Sequence, residues 1–167
     1  MALEPATPED IPAIIAIETI PGYEVFISSW SAREHAAGMA SLDVAHLVWR
    51  EHGMVAAFAI LEKLTDPNRI VLVRRLGAAR TDTGLGRRFI PALMDRVFET
   101  THCNRLELGV SEENPRAQRV YHREGFHYEG TKREIHRHED GRYVSSLTFS
   151  ILRREWEALP RRRMTEI

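Results

Sequence analysis

Gly84 and Gly86 stand where a strand-like apolar run gives way to an amphipathic helix. Glycine lets the backbone turn tightly, and the first turn of a helix leaves N–H groups unpaired at the positive end of the helix dipole. Such amides form a binding site for an anion, above all a phosphate. A Gly-x-Gly pair at a turn is more often ordinary capping, so this motif needs support from elsewhere in the chain.

That support comes about thirty residues later, in a helix that carries its own boundary signals. Asn114 suits the N-cap, Pro115 the first helical position and Gly125 the C-terminal end. Tyr121 follows Asn114 by seven residues, about two helical turns, so the two side chains share one face. The two motifs together are much rarer than either one, and they favour a ligand site over ordinary capping.

Other reactive residue types contribute less. Cys103 is the only cysteine, so it cannot form an internal disulfide and is expected to be a structural thiol. His136 and His138 alternate onto one strand face, but two ligands without a third are usually surface polar residues. We therefore expect no metal site.

Charge is divided unevenly along the chain, although its net value is −1. Residues 1–68 carry three basic and ten acidic groups, and residues 69–167 carry twenty basic and fourteen acidic groups. The basic part suits a polyanionic small molecule, and the acidic part, with Glu18 and Glu24 beside a Pro-Gly break, suits a cationic second substrate. An unevenly charged solvated surface is the alternative. Nucleic acid is less favoured, because no basic run is interleaved with aromatic residues.

The length of 167 residues fits one domain. We expect residues 1–159 to form it and residues 160–167, which include three consecutive arginines, to be a disordered basic tail. The N-terminus lacks the basic and apolar regions of a signal peptide, and no apolar run approaches the roughly 18 to 20 residues that span a bilayer. The sequence therefore predicts a cytoplasmic protein.

The elements that hold these motifs follow from capping signals and hydrophobic periodicity. Thr7 and Ser31 each precede an acidic residue by three positions, a capping-box pattern that opens a helix. Turn signals at residues 51–53 and 140–141 join β-rich runs into hairpins. The resulting order, β-α-α-β-β-β-α-β-α-β-β, predicts the α+β class: one mixed, mostly antiparallel sheet of about seven strands flanked by about four helices.

Two residues predict irregular backbone near the Gly-x-Gly turn. Gly77 falls inside the strand pattern of residues 69–78 and indicates a β-bulge or a close approach of a ligand to the backbone. Pro91 falls inside the helix expected from Gly84 to about Thr100, where a proline removes one hydrogen bond. We expect a kink or a loosened first turn in that helix.

Two motifs and the element order form one pattern over nearly the whole chain. The motifs are Thr81-x-x-Gly84-x-Gly86 and Asn114-x-x-Ala117-x-x-x-Tyr121-x-x-x-Gly125-Phe126. This pattern resembles the GNAT superfamily of acetyl-CoA-dependent N-acetyltransferases. Within it, residues 129–134, 140–143 and 151–156 are similar to the branch that holds ribosomal-protein N-terminal acetyltransferases and small-amine acetyltransferases.

The resemblance implies that the backbone amides of the glycine turn hold the pyrophosphate of CoA. Thr81 stands where the family has Arg or Gln, a departure that leaves the backbone cradle intact. By the same resemblance, the end of the preceding strand pairs its backbone with the pantetheine arm, and Asn114 bonds the arm near the sulfur. The residues implied in cofactor binding are Leu76, Gly77, Ala78, Thr81, Asp82, Thr83, Gly84, Leu85, Gly86, Arg87, Arg88, Asn114, Ala117 and Tyr121.

Acetyl transfer to an alkyl amine needs a base, because only about 1 part in 2,500 of such an amine is unprotonated at pH 7. Several relatives have a Glu five residues before the motif Asn, where this chain has Gly109. Glu107, two residues back on the same strand face, is the catalytic candidate. Glu24 and Glu134 are further candidates for the base and are expected to bind the amine substrate. Tyr121 matches the family's general acid, and a strand N–H is expected to hold the oxyanion.

The leading hypothesis is therefore transfer of acetyl from acetyl-CoA to a primary amine, on a small molecule or a protein N-terminus. The alternative is a catalytically weak CoA-binding domain with a regulatory or structural role. The expected partners are acetyl-CoA and the amine, without nucleic acid or membrane, and a homodimer is one option for the assembly.

Overall fold

The computed structural model describes residues 2–23, 28–81 and 83–160. The predictions for Glu24, for Asp82 and for most of the basic tail fall outside these residues. Within them, no helix is both long and apolar enough to cross a membrane.

The described residues form seven strands and five α-helices in the predicted order. The strands are β1 (Ala2–Pro5), β2 (Ala45–Glu51), β3 (Met54–Glu62), β4 (Ile70–Ala78), β5 (Arg105–Ser111), β6 (His127–Arg137) and β7 (Tyr143–Leu152). The helices are α1 (Ile11–Glu18), α2 (Ala32–Met39), α3 (Leu85–Thr100), α4 (Pro115–Arg123) and α5 (Arg153–Glu157). A short 3₁₀ turn, Pro8–Asp10, precedes α1. The α+β class is confirmed, and α5 is a short helix that the sequence pattern did not predict.

The capping predictions are confirmed where they can be measured. The amide of Thr7 donates to Oδ2 of Asp10 over 2.9 Å. The amide of Ser31 donates to Oε2 of Glu34 over 2.7 Å, and Oγ of Ser31 accepts from the amide of Glu34 over 3.3 Å. These bonds span three residues, so the sequence alone specifies them.

The seven strands form one sheet in the order β1-β2-β3-β4-β5-β7-β6. Neighbours run antiparallel except β4 and β5, which are parallel. Their pairing covers only Ile70 to Val73 against Arg105 to Leu108. Beyond it β4 continues to Ala78 and β5 to Ser111, each paired only with its other neighbour. We call the space between residues 74–78 and 109–111 the β4–β5 gap.

Helices cover both faces of the sheet. On one face α3, α4 and α5 pack on a large core that includes Phe89, Met94, Phe98, Leu106 and Phe149. On the other face α1 packs with its Ile14 and Ile17 on Val48, Phe58 and Ile60 of the sheet. The two helical layers therefore leave the β4–β5 gap as an opening in the sheet between them.

The structure corrects one expectation about irregular backbone. Gly77 pairs regularly with Phe58, whereas Leu61 pairs with Val73 and Ile60 with Arg75. One extra residue, Arg74, therefore stands opposite no residue of β3, and the bulge lies there rather than at Gly77. The register of β3 against β4 decides this position, and no local pattern reports it. Helix α3 continues past Pro91 to Thr100, so the proline does not end it.

Candidate functional site

The N-terminus of α3 is the first part of the site. Gly84 is its N-cap and has a φ of 72°, a left-handed conformation in which a side chain would be strained. The amide of Arg87 is bonded to the carbonyl of Gly84 over 3.1 Å, so the amides of Leu85 and Gly86 come first at the tip of the helix. The Leu85 side chain is buried in the core and anchors this turn. Such a turn can bind a phosphate group through its backbone.

Gly86 keeps that tip open without being needed for packing. A Cβ placed on it would meet only Cγ1 of Val120, at 3.8 Å, an ordinary van der Waals contact. Packing among the described residues therefore does not require a glycine here, and a close approach of a ligand to this backbone stays a prediction.

Positive charge surrounds the same turn. Arg80, Arg87 and Arg88 are exposed, and Nη1 of Arg88 lies 2.9 Å from Oε1 of Glu51. Thr81 and Thr83 are exposed as well. The structure thus places the predicted turn residues that it describes together at one end of the sheet.

The β4–β5 gap opens beside this turn, and the end of β4 forms one of its edges. Leu76, Gly77 and Ala78 lie there, and on the gap side their backbone has no partner strand among the described residues. The hydroxyl of Tyr23 donates to the carbonyl of Ala78 over 2.7 Å. This bond ties the segment between α1 and α2 to the predicted pantetheine edge. It uses one of the two lone pairs of that carbonyl, so the edge keeps acceptor capacity.

The N-terminus of α4 closes the gap at the end of β5. Oδ1 of Asn114 accepts from the amide of Ala117 over 3.1 Å, which confirms Asn114 as the N-cap. Nε2 of Gln118 donates to the carbonyl of Ser111 over 3.0 Å and fixes the connection from β5. Asn114 therefore uses one lone pair of its side-chain oxygen to cap the helix, and its amide NH₂ adds two donors at this position.

Tyr121 lies one turn further along α4 from Ala117 and is buried. Its ring packs on Phe126, at 5.8 Å between centroids, and on Phe149, at 6.0 Å. Burial raises the pKa of the phenol to about 12. The hydroxyl is therefore protonated at neutral pH and can donate a hydrogen bond or a proton, although it is a weaker acid than a free phenol.

Glu107 is not at the β4–β5 gap. It pairs with Leu72 inside the short parallel segment and with Ser150 on β7. Its carboxylate lies 3.0 Å from Nη2 of Arg105 and 3.4 Å from Nζ of Lys63. These contacts favour a role in holding the strands together over a role as the base.

Glu134 lies in an irregular part of β6, where the register shifts between Lys132 and His136. It is exposed, has a φ of 51°, and its amide donates to Oγ of Ser145 over 3.3 Å. Its side chain is exposed and accessible to a substrate, and its role in acceptor binding stays a prediction.

Gly109 stands five residues before Asn114, where the family resemblance implies a glutamate, and the structure shows what lies beside it. A Cβ on Gly109 would lie 2.9 Å from Oγ of Ser146, too close for a real side chain without movement of that hydroxyl. Ser146 is buried on β7 opposite Ser111. The hydroxyl of Ser146 therefore lies beside Gly109, at the position where the family resemblance implies a carboxylate.

Sequence reasoning missed a group of buried polar residues, which we call the Glu18 cluster: Glu18, His35, His46 and Arg75. The side chain of Glu18 has no solvent exposure, and its Oε2 lies 3.1 Å from Nε2 of His35. The expectation that Glu18 attracts a cationic substrate from solvent is therefore wrong. Its position four residues after the buried Ile14, on the same face of α1, is the signal that could have indicated burial.

Cys103 is buried, as expected for a structural thiol. Burial raises the pKa of its thiol to about 11, so the reactive thiolate is scarce at neutral pH.

Known proteins provide an independent comparison. Residues 11–126, more than half of the chain, match the family model described as acetyltransferase (GNAT) family. No curated protein matches the chain in sequence.

Solved structures agree on the fold. The structure is similar to spermidine N-acetyltransferase from Vibrio cholerae in complex with CoA and spermine, with a TM-score of 0.83, 19% identity and coverage of 93% of this chain and 96% of that one. It is also similar to the ribosomal-protein-S18-alanine N-acetyltransferase from Escherichia coli, with a TM-score of 0.73, 20% identity and coverage of 90% and 92%. The single-domain fold expected from the sequence is confirmed.

Proposed function

Because the chain belongs to the GNAT family of acetyltransferases, we propose that it moves the acetyl group of acetyl-CoA to a primary amine. One observation carries the proposal: the β4–β5 gap runs from the N-terminus of α3 to the N-cap of α4. A helix N-terminus that can bind an anion, a strand edge without a partner among the described residues and the N-terminus of the helix that carries Tyr121 thus border one gap.

The donor is proposed to lie along that path. Its pyrophosphate sits at residues 83–88, where Gly84 turns the chain and the first amides of α3 are free of intrahelical partners. Its pantetheine arm pairs with the backbone of Leu76 to Ala78. We call this part, formed by the N-termini of α3 and α4 and the edge of β4, the donor side.

The acceptor is proposed to enter from the face that carries α1 and α2, because α3, α4 and α5 fill the opposite face. We call this the acceptor side. The acidic excess in residues 1–68 favours an acceptor that is cationic before reaction. A small polyamine or the N-terminus of a protein has this chemistry.

The reaction is proposed to be a direct attack. The ammonium first gives one proton to water or a base, because only the neutral amine has a lone pair. The amine nitrogen then forms a bond with the thioester carbon, the carbonyl electrons move to oxygen, and a backbone N–H of β4 just after the bulge holds that oxyanion. The carbon–sulfur bond then breaks, its electron pair leaves on sulfur, and the nitrogen loses its extra proton to water or a base. Tyr121 gives its phenol proton to the thiolate and recovers one from solvent.

The raised pKa of Tyr121 limits how much this acid can contribute. The conjugate acid of the thiolate has a pKa of about 8.5, and the phenol has a pKa of about 12. Proton transfer from the phenol to the thiolate is therefore unfavourable by roughly 5 kcal/mol. Expulsion of the thiolate without the acid therefore competes with it.

The second candidate is a catalytically weak CoA-binding domain. Gly109 in place of a carboxylate and Thr81 in place of a long polar side chain favour it. Such a domain binds acetyl-CoA but consumes none of it with any amine.

The test is to measure acetyl-CoA binding by calorimetry and CoA release with a panel that contains spermidine, short diamines, amino acids and peptides with free N-termini. Binding together with amine-dependent release of CoA supports the acetyltransferase. Binding without release by any amine favours the second candidate. No binding contradicts both. We further propose that the reaction takes place in the cytoplasm, without nucleic acid or membrane as partner.

A further inference from the structure

The bulge in β4 and the β4–β5 gap begin at the same residue. Val73 is the last residue of β4 that pairs with β5, and Arg74 is the extra residue opposite no partner in β3. The amides that follow the bulge therefore lie where the proposed oxyanion forms.

The bulge also decides which way Arg75 points. Side chains alternate along a strand, so without the extra residue Arg75 would share the face of Val73, beneath α3. With it, Arg75 pairs with Ile60 and shares the face of α1 and α2. The two arginines differ in burial as this alternation requires: the side chain of Arg74 is 51% exposed and that of Arg75 is 5% exposed.

Contacts on three sides hold Arg75 on that face. Its Nε lies 3.7 Å from Oε1 of Glu18, an ion-pair distance beyond hydrogen-bond range. Its guanidinium carbon lies 4.3 Å from the ring centroid of Trp30, and its Nη2 donates to Oγ of Ser28 over 2.9 Å. Ser28 and Trp30, which lie between α1 and α2, thus contact the residue that follows the bulge.

Glu18 links these contacts of Arg75 to other residues of the acceptor side. Its Oε2 accepts from the amide of Trp30 over 3.2 Å and lies 3.1 Å from Nε2 of His35. Nδ1 of His35 lies 3.2 Å from Nε2 of His46 on β2. The Glu18 cluster therefore joins α1, α2, β2 and β4.

Stability alone does not explain this cluster. Desolvation of a buried ion pair largely offsets its attraction, and apolar residues of similar size often serve stability as well. The pair instead favours one register of β4 against β3, because Arg75 faces Glu18 only when β4 carries the bulge.

We propose that Arg75, held by Glu18 and Trp30, is a positioning residue that locks the β4 bulge and so aims the oxyanion amide at the thioester. The inference rests on the proposed function. It adds that residues outside the donor side set the geometry of the reacting carbonyl.

The first experiment compares Arg75→Met, Glu18→Gln and the double variant. Each single change leaves one buried group without its partner, so both should lower the melting temperature and the turnover number. The double variant removes both charges and should regain most of the melting temperature. Its turnover number should stay about ten- to hundredfold low, because the lock is still absent. Acetyl-CoA affinity should change by less than about threefold in all variants, since the donor side is intact. Recovery of turnover together with stability would overturn the proposal.

Arg74→Met is the matched control, because Arg74 is the neighbouring arginine in the bulge but is exposed and lies 3.8 Å from Glu62. It should keep turnover within about twofold, as expected for a surface ion pair. An equal loss in Arg74→Met and Arg75→Met would contradict a specific role for Arg75.

A second readout needs no turnover. The carbonyl carbon-13 signal of bound acetyl-CoA labelled at that atom should lie downfield of the free ligand in the unmodified protein. It should move back toward the free position in the double variant but not in Arg74→Met. An unchanged signal in the double variant would overturn the proposal. This shift reports on the carbonyl alone, so it can be measured even when no amine in the panel reacts. The absence of any reacting amine would count against the proposed function, not against the role of Arg75.

Discussion

The donor side and the acceptor side of the β4–β5 gap depend on contacts of very different sequence separation. On the donor side the capping bonds at Gly84 and Asn114 each span three residues. On the acceptor side the bond from Tyr23 to Ala78 spans 55 residues, and the bond from Arg75 to Ser28 spans 47. The two helix caps of the donor side are thus local backbone conformations, whereas its strand edge and the acceptor side exist only after the sheet has formed.

The difference extends to the chemistry of the two sides. The donor side presents backbone amides and exposed arginines, which need no tuning to bind an anion. The acceptor side buries a carboxylate, a guanidinium and two imidazoles in contact with one another. Changes on the donor side should therefore alter ligand affinity, and changes on the acceptor side should alter stability, pH dependence and turnover.

The largest expected effect concerns pH and the acceptor side. Burial, followed by the nearby His35 and Arg75, lowers the pKa of His46 from 6.5 to about 4. The unfolded chain then binds a proton between these values that the folded chain does not, so stability falls as the pH decreases from 6.5 to 4. At 1.36 kcal/mol for each pH unit, this loss amounts to roughly 3 kcal/mol.

His46→Gln should remove that part of the acid sensitivity. Urea unfolding at pH 7 and at pH 4.5 measures it, and the difference between the two free energies of unfolding should be smaller in the variant. His102→Gln, at an exposed position, is the control and should keep the original difference. Equal pH dependence of the free energy of unfolding in His46→Gln and the unmodified protein would show that protonation of His46 does not destabilise the fold.

Gly86→Val tests the donor side directly. The added Cβ meets only Val120 at 3.8 Å, so the variant should fold, but its side chain should obstruct the backbone approach of the pyrophosphate. We expect acetyl-CoA affinity to fall by about hundredfold, which is about 2.7 kcal/mol, in a calorimetric titration. Arg87→Ala, which removes an exposed side chain but keeps the backbone, should weaken binding only about threefold. Unchanged affinity in a folded Gly86→Val protein would place the phosphate site elsewhere.

Tyr121→Phe tests the point where the two sides meet. The ring contacts with Phe126 and Phe149 remain, so acetyl-CoA affinity and stability should be nearly unchanged. The turnover number should fall about tenfold, at or just below the lower end of the usual range for general acids, because the phenol is a weak acid here. Pre-steady-state release of CoA is the measurement, since it follows the chemical step. A turnover number equal to that of the unmodified protein would leave Tyr121 as a packing residue.

The smallest expected effect is electrostatic steering by Glu24. With Glu18 buried, Glu24 is the acidic residue of the predicted pair that still serves as a candidate for attracting a cationic acceptor. Glu24→Gln should raise the Michaelis constant of the best amine about twofold at low salt, and the difference should vanish in about 0.5 M salt. Glu139→Gln, an exposed change near the hairpin turn, should have no effect on it. A difference that persists at high salt would indicate direct contact rather than steering.

The sequence by itself determined the order of the elements, the helix caps at Thr7, Ser31 and Asn114, and the Gly84 turn. Each of these depends on residues three or four apart, or on periodicity within one element, so the information is complete in a short stretch. The backbone of the turn at Gly84 and of the cap at Asn114 could be predicted for this reason, whereas the role of these residues in binding a cofactor stays a prediction.

Only the tertiary structure decided the position of the bulge, the burial of Glu18 and the surroundings of Glu107. The bulge is at Arg74 because β3 and β4 shift register there, and a register is a relation between two strands. Glu107 contacts Arg105 of its own strand and also Lys63, which follows β3 and is distant in the sequence. Glu18 is buried beside Arg75, which turns to its face. Helix periodicity indicates the face of α1 on which Glu18 lies, but charged residues are seldom fully buried, so only the folded neighbours show that this carboxylate belongs to a buried pair.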